Sequence, residues 1–209
     1  MYERIDMPYN SAIHHRRSIR LRAFDYRSNG TYFITICAFQ RESLFGEVVD
    51  GDMRLNRLGM AVDACWQSIA NHFPNVQLDE FVIMPNHFHG IMNIVGHVGA
   101  KQGSSASPGF GIEGNNVGNC NKGEAGEAIA SPLRDGTVSG SLGAVIQNFK
   151  SISTRKINKI RNNPGCPVWQ RNYYEHIIRS ESDLTNIRQY IANNPLKWDM
   201  DDNNLVNVP

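Results

Sequence analysis

Hydrophobic and polar residues follow two periods along this chain, one typical of strands and one typical of helices. Stretches rich in β-branched and aromatic residues predict strands at 31–39, 76–84 and 87–95. Within 44–55, an Asp-Gly pair between two short apolar stretches predicts a β-hairpin. The chain therefore contains enough strand-forming sequence for a sheet of several strands.

Helical periodicity appears in three further places. Apolar residues recur every three or four positions in 58–72 and again from Ser141 onward, which predicts two amphipathic helices. After an aromatic, β-prone segment at 168–178, Ser180 offers an N-terminal cap and Pro195 ends a last helix. These helices alternate with the strands in a recognisable order.

The order of elements predicts the fold class. Strand, hairpin, helix, two strands, helix, strand and helix correspond to a ferredoxin-like α+β sandwich, an antiparallel sheet with helices packed on one face. Residues 96–140 interrupt this order with Gly, Ser, Asn and Ala, and we interpret them as a flexible insertion. We expect one domain over 1–209.

Composition favours a globular protein without a membrane partner. The longest apolar runs, such as 91–95, are much shorter than the ~20 residues that span a bilayer, and the N-terminus lacks the apolar stretch of a signal peptide. We therefore expect a cytoplasmic protein. Four cysteines contain no CxxC pair, which predicts reduced, mostly buried thiols. They are Cys37, Cys65, Cys120 and Cys166.

Charge is concentrated in two segments although the net charge is only +1. Residues 14–27 hold five arginines and one aspartate, and 150–161 hold five cations and no acid. Such segments predict a surface for a polyanion, although solvated faces without a partner would look the same. The candidate contacts are Arg16, Arg17, Arg20, Arg22, Lys150, Arg155, Lys156 and Lys159.

The segment MPNHFHG at 84–90 carries the sharpest chemical signal. Because side chains alternate along a strand, His87 and His89 face the same way while Phe88 points into the core. Two imidazoles on one face can chelate a divalent ion. Cupins, amidohydrolases and structural histidines share the pattern. An amidohydrolase barrel, however, needs about 250 residues, and a cupin needs more strands after the pair than this sequence predicts.

The last predicted helix offers a nucleophile and a further ligand. Tyr190 and Asn194 lie four residues apart, one helical turn. The amide oxygen of Asn194 suits a hard ion such as Mg²⁺. A lone helical tyrosine is also common as a surface residue, and asparagine before proline is a common helix-end signal. The residues alone leave these alternatives open.

Two motifs resemble a known family. PNHFHG resembles the histidine-hydrophobic-histidine motif of HUH enzymes, and WQRNYYEHIIRSESDLTNIRQYIANNPLKW resembles the signature of REP-associated tyrosine transposases, a branch of the single-tyrosine transposases. RRSIRLRAFDYRSNGTYFITICAFQRESLFGEV is similar too, so the match covers 16–198 apart from the insertion. The resemblance implies a metal site and a nucleophile. The implied residues are His87, His89 and Asn194 for Mg²⁺ or Mn²⁺ and Tyr190 for attack.

The resemblance also implies a substrate and a reaction. The expected protein is a nucleoid-associated monomer or homodimer that nicks and rejoins single-stranded, hairpin-forming DNA through a 5′-phosphotyrosine intermediate. Tyr173 and Tyr174 are rival nucleophiles by type, but the family pattern makes that pair structural. We interpret Glu175 and His176 as fold residues. The alternatives are a domesticated DNA-binding module without cleavage activity and a rolling-circle Rep or relaxase-type nickase, which usually carries further domains.

Overall fold

The computed structural model describes residues 29–96, 140–201 and 203–204. The predicted contacts Arg16, Arg17, Arg20 and Arg22, and 97–139 of the predicted insertion, lie outside these residues. Two 3₁₀ turns, at Phe39–Arg41 and Pro195–Met200, accompany the regular elements. Those elements are β1 (Gly30–Cys37), β2 (Gly46–Val49), β3 (Asp52–Leu55), α1 (Arg57–Gln67), α2 (Ile69–His72), β4 (Val76–Ile83), β5 (His87–Ile94), α3 (Leu142–Ile160), β6 (Tyr174–Ile178) and α4 (Glu181–Ala192).

Four strands form one antiparallel sheet in the order β4-β5-β1-β6. β1 pairs with β5 along its whole length, from Gly30 opposite Ile94 to Cys37 opposite His87. β2 and β3 form a separate hairpin. This strand order and the antiparallel pairing confirm the predicted ferredoxin-like α+β class.

One face of the sheet carries the main core. Trp66 of α1 and Phe149 of α3 pack against Phe88 of β5, with ring centroids 4.5 Å apart for Trp66–Phe88 and 5.4 Å for Phe88–Phe149. Tyr32 and Ile34 of β1 join this cluster and are fully buried. Helices α1 and α3 therefore cover this face, as the sequence predicts.

The last helix differs from the prediction, because α4 covers the opposite face. Phe33 of β1 and Ile91 of β5 point away from the main core and form a second cluster with Ile191. Ser180 caps α4, since its hydroxyl accepts a hydrogen bond from the amide of Asp183. The prediction that the helices pack on one face holds for α1 and α3 but not for α4. Alternate strand residues form a second apolar strip on the other face, and α4 covers it.

Two smaller predictions need correction. The helix predicted over 58–72 is divided into α1 and α2 at Ser68, whose hydroxyl donates to the Cys65 carbonyl. Cys166 belongs to a disulfide, so the expectation of four reduced thiols is wrong there. Cys37 and Cys65 are free thiols.

No helix in the described parts of the chain is long and apolar enough to cross a bilayer.

Candidate active site

His87 and His89 occupy the face of β5 that α4 covers, while Phe88 points into the main core. Their exposed fractions are 0% and 2%, and their ring centroids lie 4.6 Å apart. The strand alternation predicted from HFH therefore brings both imidazoles into one buried space.

The protonation of His87 follows from its hydrogen bonds. Its Nδ1 lies 2.9 Å from Asn86 Oδ1. The Asn86 amide nitrogen donates to the carbonyls of Arg41 and Asn203, so the amide oxygen must face the imidazole. His87 thus carries its proton on Nδ1 and a lone pair on Nε2. That Nε2 is buried without a hydrogen-bond partner.

Two oxygen donors lie next to this lone pair. Asn194 follows the end of α4, is buried, and its side-chain oxygen also lacks a hydrogen-bond partner. The Asn194 side chain lies near enough to His87 to raise the pKa of the imidazole. Asp201 Oδ2 lies 3.9 Å from His87 Nε2. The structure thus brings Asn194 to the predicted site and adds Asp201, which the sequence shows only as one of three aspartates in WDMDDNN.

His89 links the site to the predicted nucleophile. Its Nδ1 lies 2.8 Å from Thr35 Oγ1, and its Nε2 lies 3.3 Å from the Tyr190 hydroxyl oxygen. Phe33 stacks on the His89 ring and meets the Tyr190 ring edge-on, with centroids 5.4 and 6.0 Å away. Tyr190 is 44% exposed, so a substrate from solvent can reach it.

Burial sets the charge state of both imidazoles. Desolvation lowers the pKa of His87, against the opposing charge of Asp201. Desolvation and the neighbouring His87 lower the pKa of His89 well below its ordinary range. Both rings are therefore neutral near pH 7, which is the state in which imidazole binds a metal.

The donor set fits a divalent cation. Within the described ranges, no three His, Cys, Asp or Glu side chains form a group that could hold a metal ion by themselves, so a bound ion would also need the Asn194 amide. Buried polar atoms without partners are rare in folded proteins. His87 Nε2 and Asn194 Oδ1 are two such atoms, and both would be satisfied by one cation.

The rival tyrosines lie on different sides of the sheet. Tyr174 pairs with Thr35 on the imidazole face, is 48% exposed, and its ring lies 6.5 Å from Phe33. Tyr173 packs against the main core instead. His176 lies 2.9 Å from the Asp183 carboxylate. No hydrogen bond in the described structure joins Tyr174 to His89, so Tyr190 is the tyrosine that contacts the imidazole pair.

The predicted basic residues of α3 lie away from the imidazoles, because α3 covers the other face of the sheet. Arg155, Lys156 and Lys159 are exposed. Lys150 is half-buried and donates to the Gln170 and Arg171 carbonyls, and burial lowers its pKa to about 8. Lys150 and Arg155 also line a cavity of about 560 Å³ between α3 and residues 167–173. Of the predicted cations that the structure describes, Arg155, Lys156 and Lys159 are therefore the ones with exposed side chains.

No known family model matches the chain. Among solved structures, a REP-associated tyrosine transposase bound to a REP hairpin aligns with a TM-score of 0.49 and 16% identity, over 87% of this chain and 74% of the other. An uncharacterized protein of Haemophilus influenzae is 45% identical over 193 residues, which are 92% of this chain and 95% of that protein. The chain therefore belongs to the same protein family as this Haemophilus influenzae protein.

Proposed function

We propose that the protein is a metal-dependent transposase that nicks and rejoins single-stranded DNA, with Tyr190 as nucleophile. The observation that carries the proposal is the 3.3 Å contact between the Tyr190 hydroxyl and His89 Nε2, beside a second buried imidazole. The resemblance of PNHFHG and of the segment around Tyr190 to REP-associated tyrosine transposases supports hairpin-forming DNA as substrate.

His87, His89 and Asn194 would hold the Mg²⁺ or Mn²⁺. When bound, such an ion neutralises charge on a non-bridging phosphate oxygen and favours the phenolate form of a nearby tyrosine. The second effect matters because an ordinary tyrosine has a pKa of about 10 and is a poor nucleophile at neutral pH. The contact between Tyr190 and His89 supports this arrangement, since it keeps the hydroxyl beside a ligand.

The bonds that form and break belong only to the tyrosine and the DNA. The Tyr190 oxygen attacks phosphorus, the bond from phosphorus to the 3′ oxygen breaks, and the released 3′ oxygen takes a proton while the tyrosine has lost one. The 5′-phosphotyrosine conserves the phosphodiester energy, so a free 3′-OH can attack it and restore a DNA strand. Cutting and rejoining therefore require no external energy source.

Exposed groups near and beyond the site would bind the strand. Arg155, Lys156 and Lys159 are exposed on α3, and phosphate contacts of this kind give salt-sensitive affinity. Tyr174, exposed beside Phe33, offers a ring on which an unpaired base could stack. These residues would position DNA, while Tyr190 would react.

A denaturing-gel assay tests the proposal. We expect wild-type protein, incubated with labelled hairpin DNA and Mn²⁺ or Mg²⁺, to form a covalent adduct. Tyr190→Phe should reduce the adduct by about 10⁴-fold or more, since it removes the nucleophile. The matched control Tyr174→Phe should leave the adduct unchanged, because it removes a hydroxyl on the same face of the sheet that is not the nucleophile.

Two results would contradict the proposal. An adduct that survives Tyr190→Phe and disappears with Tyr174→Phe would assign the nucleophile to Tyr174. Tight binding of several hairpins without any adduct, in both metals, would identify a DNA-binding module without cleavage activity.

A further inference from the structure

We infer that Asp201 is a ligand of the divalent cation, so that the segment after α4 completes the metal site. The inference rests on the proposed function, because it adds a residue to the same site. Its starting point is the contact between His87 and Asp201, which joins β5 to a residue 114 positions later (201 − 87).

The lone pair of His87 points toward Asp201. Because Nδ1 donates to Asn86, Nε2 is the unprotonated nitrogen, and it lies 3.9 Å from Asp201 Oδ2. A lone pair and a carboxylate oxygen repel each other unless a cation lies between them. The unpartnered Asn194 oxygen also belongs to a side chain that interacts with His87, so both oxygen donors lie beside the same imidazole.

The distance between His87 Nε2 and Asp201 Oδ2 fits a shared ion. Two oxygen or nitrogen ligands at about 2.1 Å from one octahedral ion are separated by roughly 3.0 Å when adjacent and 4.2 Å when opposite. The 3.9 Å between His87 Nε2 and Asp201 Oδ2 falls within this interval. One ion can therefore contact both atoms without a large rearrangement of either side chain.

The charge of Asp201 also suits a divalent cation. The other three donors are neutral, whereas hard divalent cations prefer sites that contain carboxylates, and their affinity depends on the number of charged ligands. Asp201 would supply the formal negative charge. Its side chain is 9% exposed, so this charge lies in a setting where water screens it weakly.

Asp201 is also fixed in place by the residues that orient His87. Its Oδ1 accepts hydrogen bonds from the backbone and side-chain nitrogens of Asn203, at 2.7 and 3.0 Å. The Asn203 carbonyl accepts from Asn86, whose oxygen in turn fixes the His87 ring. One network therefore positions both proposed ligands, and Oδ2 is the Asp201 oxygen that faces His87.

Calorimetric titration of Mn²⁺ into the full-length protein, without DNA, tests the inference. We expect Asp201→Asn to weaken Mn²⁺ binding by about ten-fold or more, since it removes the charged donor. Asp199→Asn is the matched control, because Asp199 is an exposed aspartate of the same tail. It should bind Mn²⁺ as the wild type does. Unchanged affinity in Asp201→Asn would overturn the inference.

A second variant separates direct ligation from an effect on local folding. Under reducing conditions, Asp201→Cys should bind Cd²⁺ more tightly than wild type and show thiolate-to-cadmium charge-transfer absorption, because thiolate prefers soft metals. The wild type retains the nearby Cys37 and controls for its contribution. Absence of this absorption in a folded Asp201→Cys protein would place Asp201 outside the metal's coordination sphere.

The two proposals fail in distinguishable ways. If wild type forms the Tyr190 adduct while Asp201→Asn keeps full Mn²⁺ affinity, the ligand assignment fails and the proposed function stands. If wild type forms no adduct while Asp201→Asn still loses Mn²⁺, the ligand assignment stands and the transposase reaction fails.

Discussion

The two faces of the sheet are built from the same strands but differ in what they bury. On one face, Trp66, Phe88 and Phe149 form a closed aromatic core beneath α1 and α3. On the other, Phe33 and a few aliphatic residues support α4, and the remaining space holds neutral imidazoles and unpartnered polar atoms. One face is packed mainly with aromatic rings, whereas the other buries the two imidazoles and the Asn194 side chain.

This difference shows how a strand can serve both purposes within three residues. Period-two alternation sends Phe88 to the core and its two neighbours to the opposite face, so the packing of Phe88 holds the strand that carries both imidazoles. Unsatisfied buried groups cost free energy, and the opposite face offsets that cost through aromatic burial. The two faces should therefore respond differently to substitution.

The largest expected effect is a loss of stability when the aromatic core, rather than the imidazole face, is changed. Phe88→Ala should lower the free energy of unfolding by roughly 3–5 kcal/mol, since it leaves a cavity in a fully buried aromatic cluster. Tyr190→Phe should change it by less than about 1 kcal/mol, because Tyr190 is 44% exposed and keeps its ring. Urea denaturation of both variants checks this, and equal losses would show that the faces are not separable.

A smaller effect is expected at the glycine that follows the two histidines. A Cβ on Gly90 would lie 2.7 Å from Trp66 Cζ2 and 2.8 Å from Phe88 Cε1, on the core face. Gly90→Ala should therefore destabilise the protein by roughly 1–3 kcal/mol through overpacking. At Gly30 the nearest atom is 3.4 Å away, an ordinary contact, so Gly30→Ala is the control. Equal melting temperatures for the two variants would contradict this explanation.

The most gradual effect is a pH dependence of stability that comes from the imidazole face. Burial lowers the pKa of His87 and His89 below 6.5, so the unfolded chain binds protons that the folded protein does not. Their contribution is present above pH about 6.5 and is lost as the pH falls. With EDTA present, unfolding free energy should drop by up to about 1.4 kcal/mol per pH unit for each histidine.

Urea titrations from about pH 7 to pH 5 measure this slope. Replacing both site histidines with glutamine should flatten it, whereas His72→Gln, an exposed position at the end of α2, should leave it unchanged. A slope that persists without the two site histidines would assign the pH dependence to other groups.

Local sequence patterns predicted much of the candidate site. HFH in a strand context fixed which residues share a face, because side-chain alternation is a property of the extended backbone alone. The Ser180 cap and the four-residue spacing of Tyr190 and Asn194 are equally local. The structure agrees with the alternation and with the cap, which depend on neighbours within a few residues, whereas α4 ends at Ala192 and leaves Asn194 just beyond the helix.

The wrong predictions share a different cause. The position of α4 depends on which sheet face has apolar residues left uncovered, and no local pattern around Cys166 indicates its disulfide. The prediction that Lys150 contacts DNA stays a prediction, but the sequence did not show that its ammonium group donates to two backbone carbonyls. The position of α4 and the hydrogen bonds of Lys150 were decided by contacts between segments that are far apart in the chain.

The sequence by itself determined the strand alternation, the capped start of α4 and the order of elements, since backbone geometry and local propensity are encoded over short windows. Only the tertiary structure decided that Tyr190 contacts His89 and that Asp201, of three aspartates in one tail, faces His87. Those side-chain contacts depend on how α4 and the following segment pack on the sheet. Packing is a sum over many distant contacts, and no short window of sequence contains it.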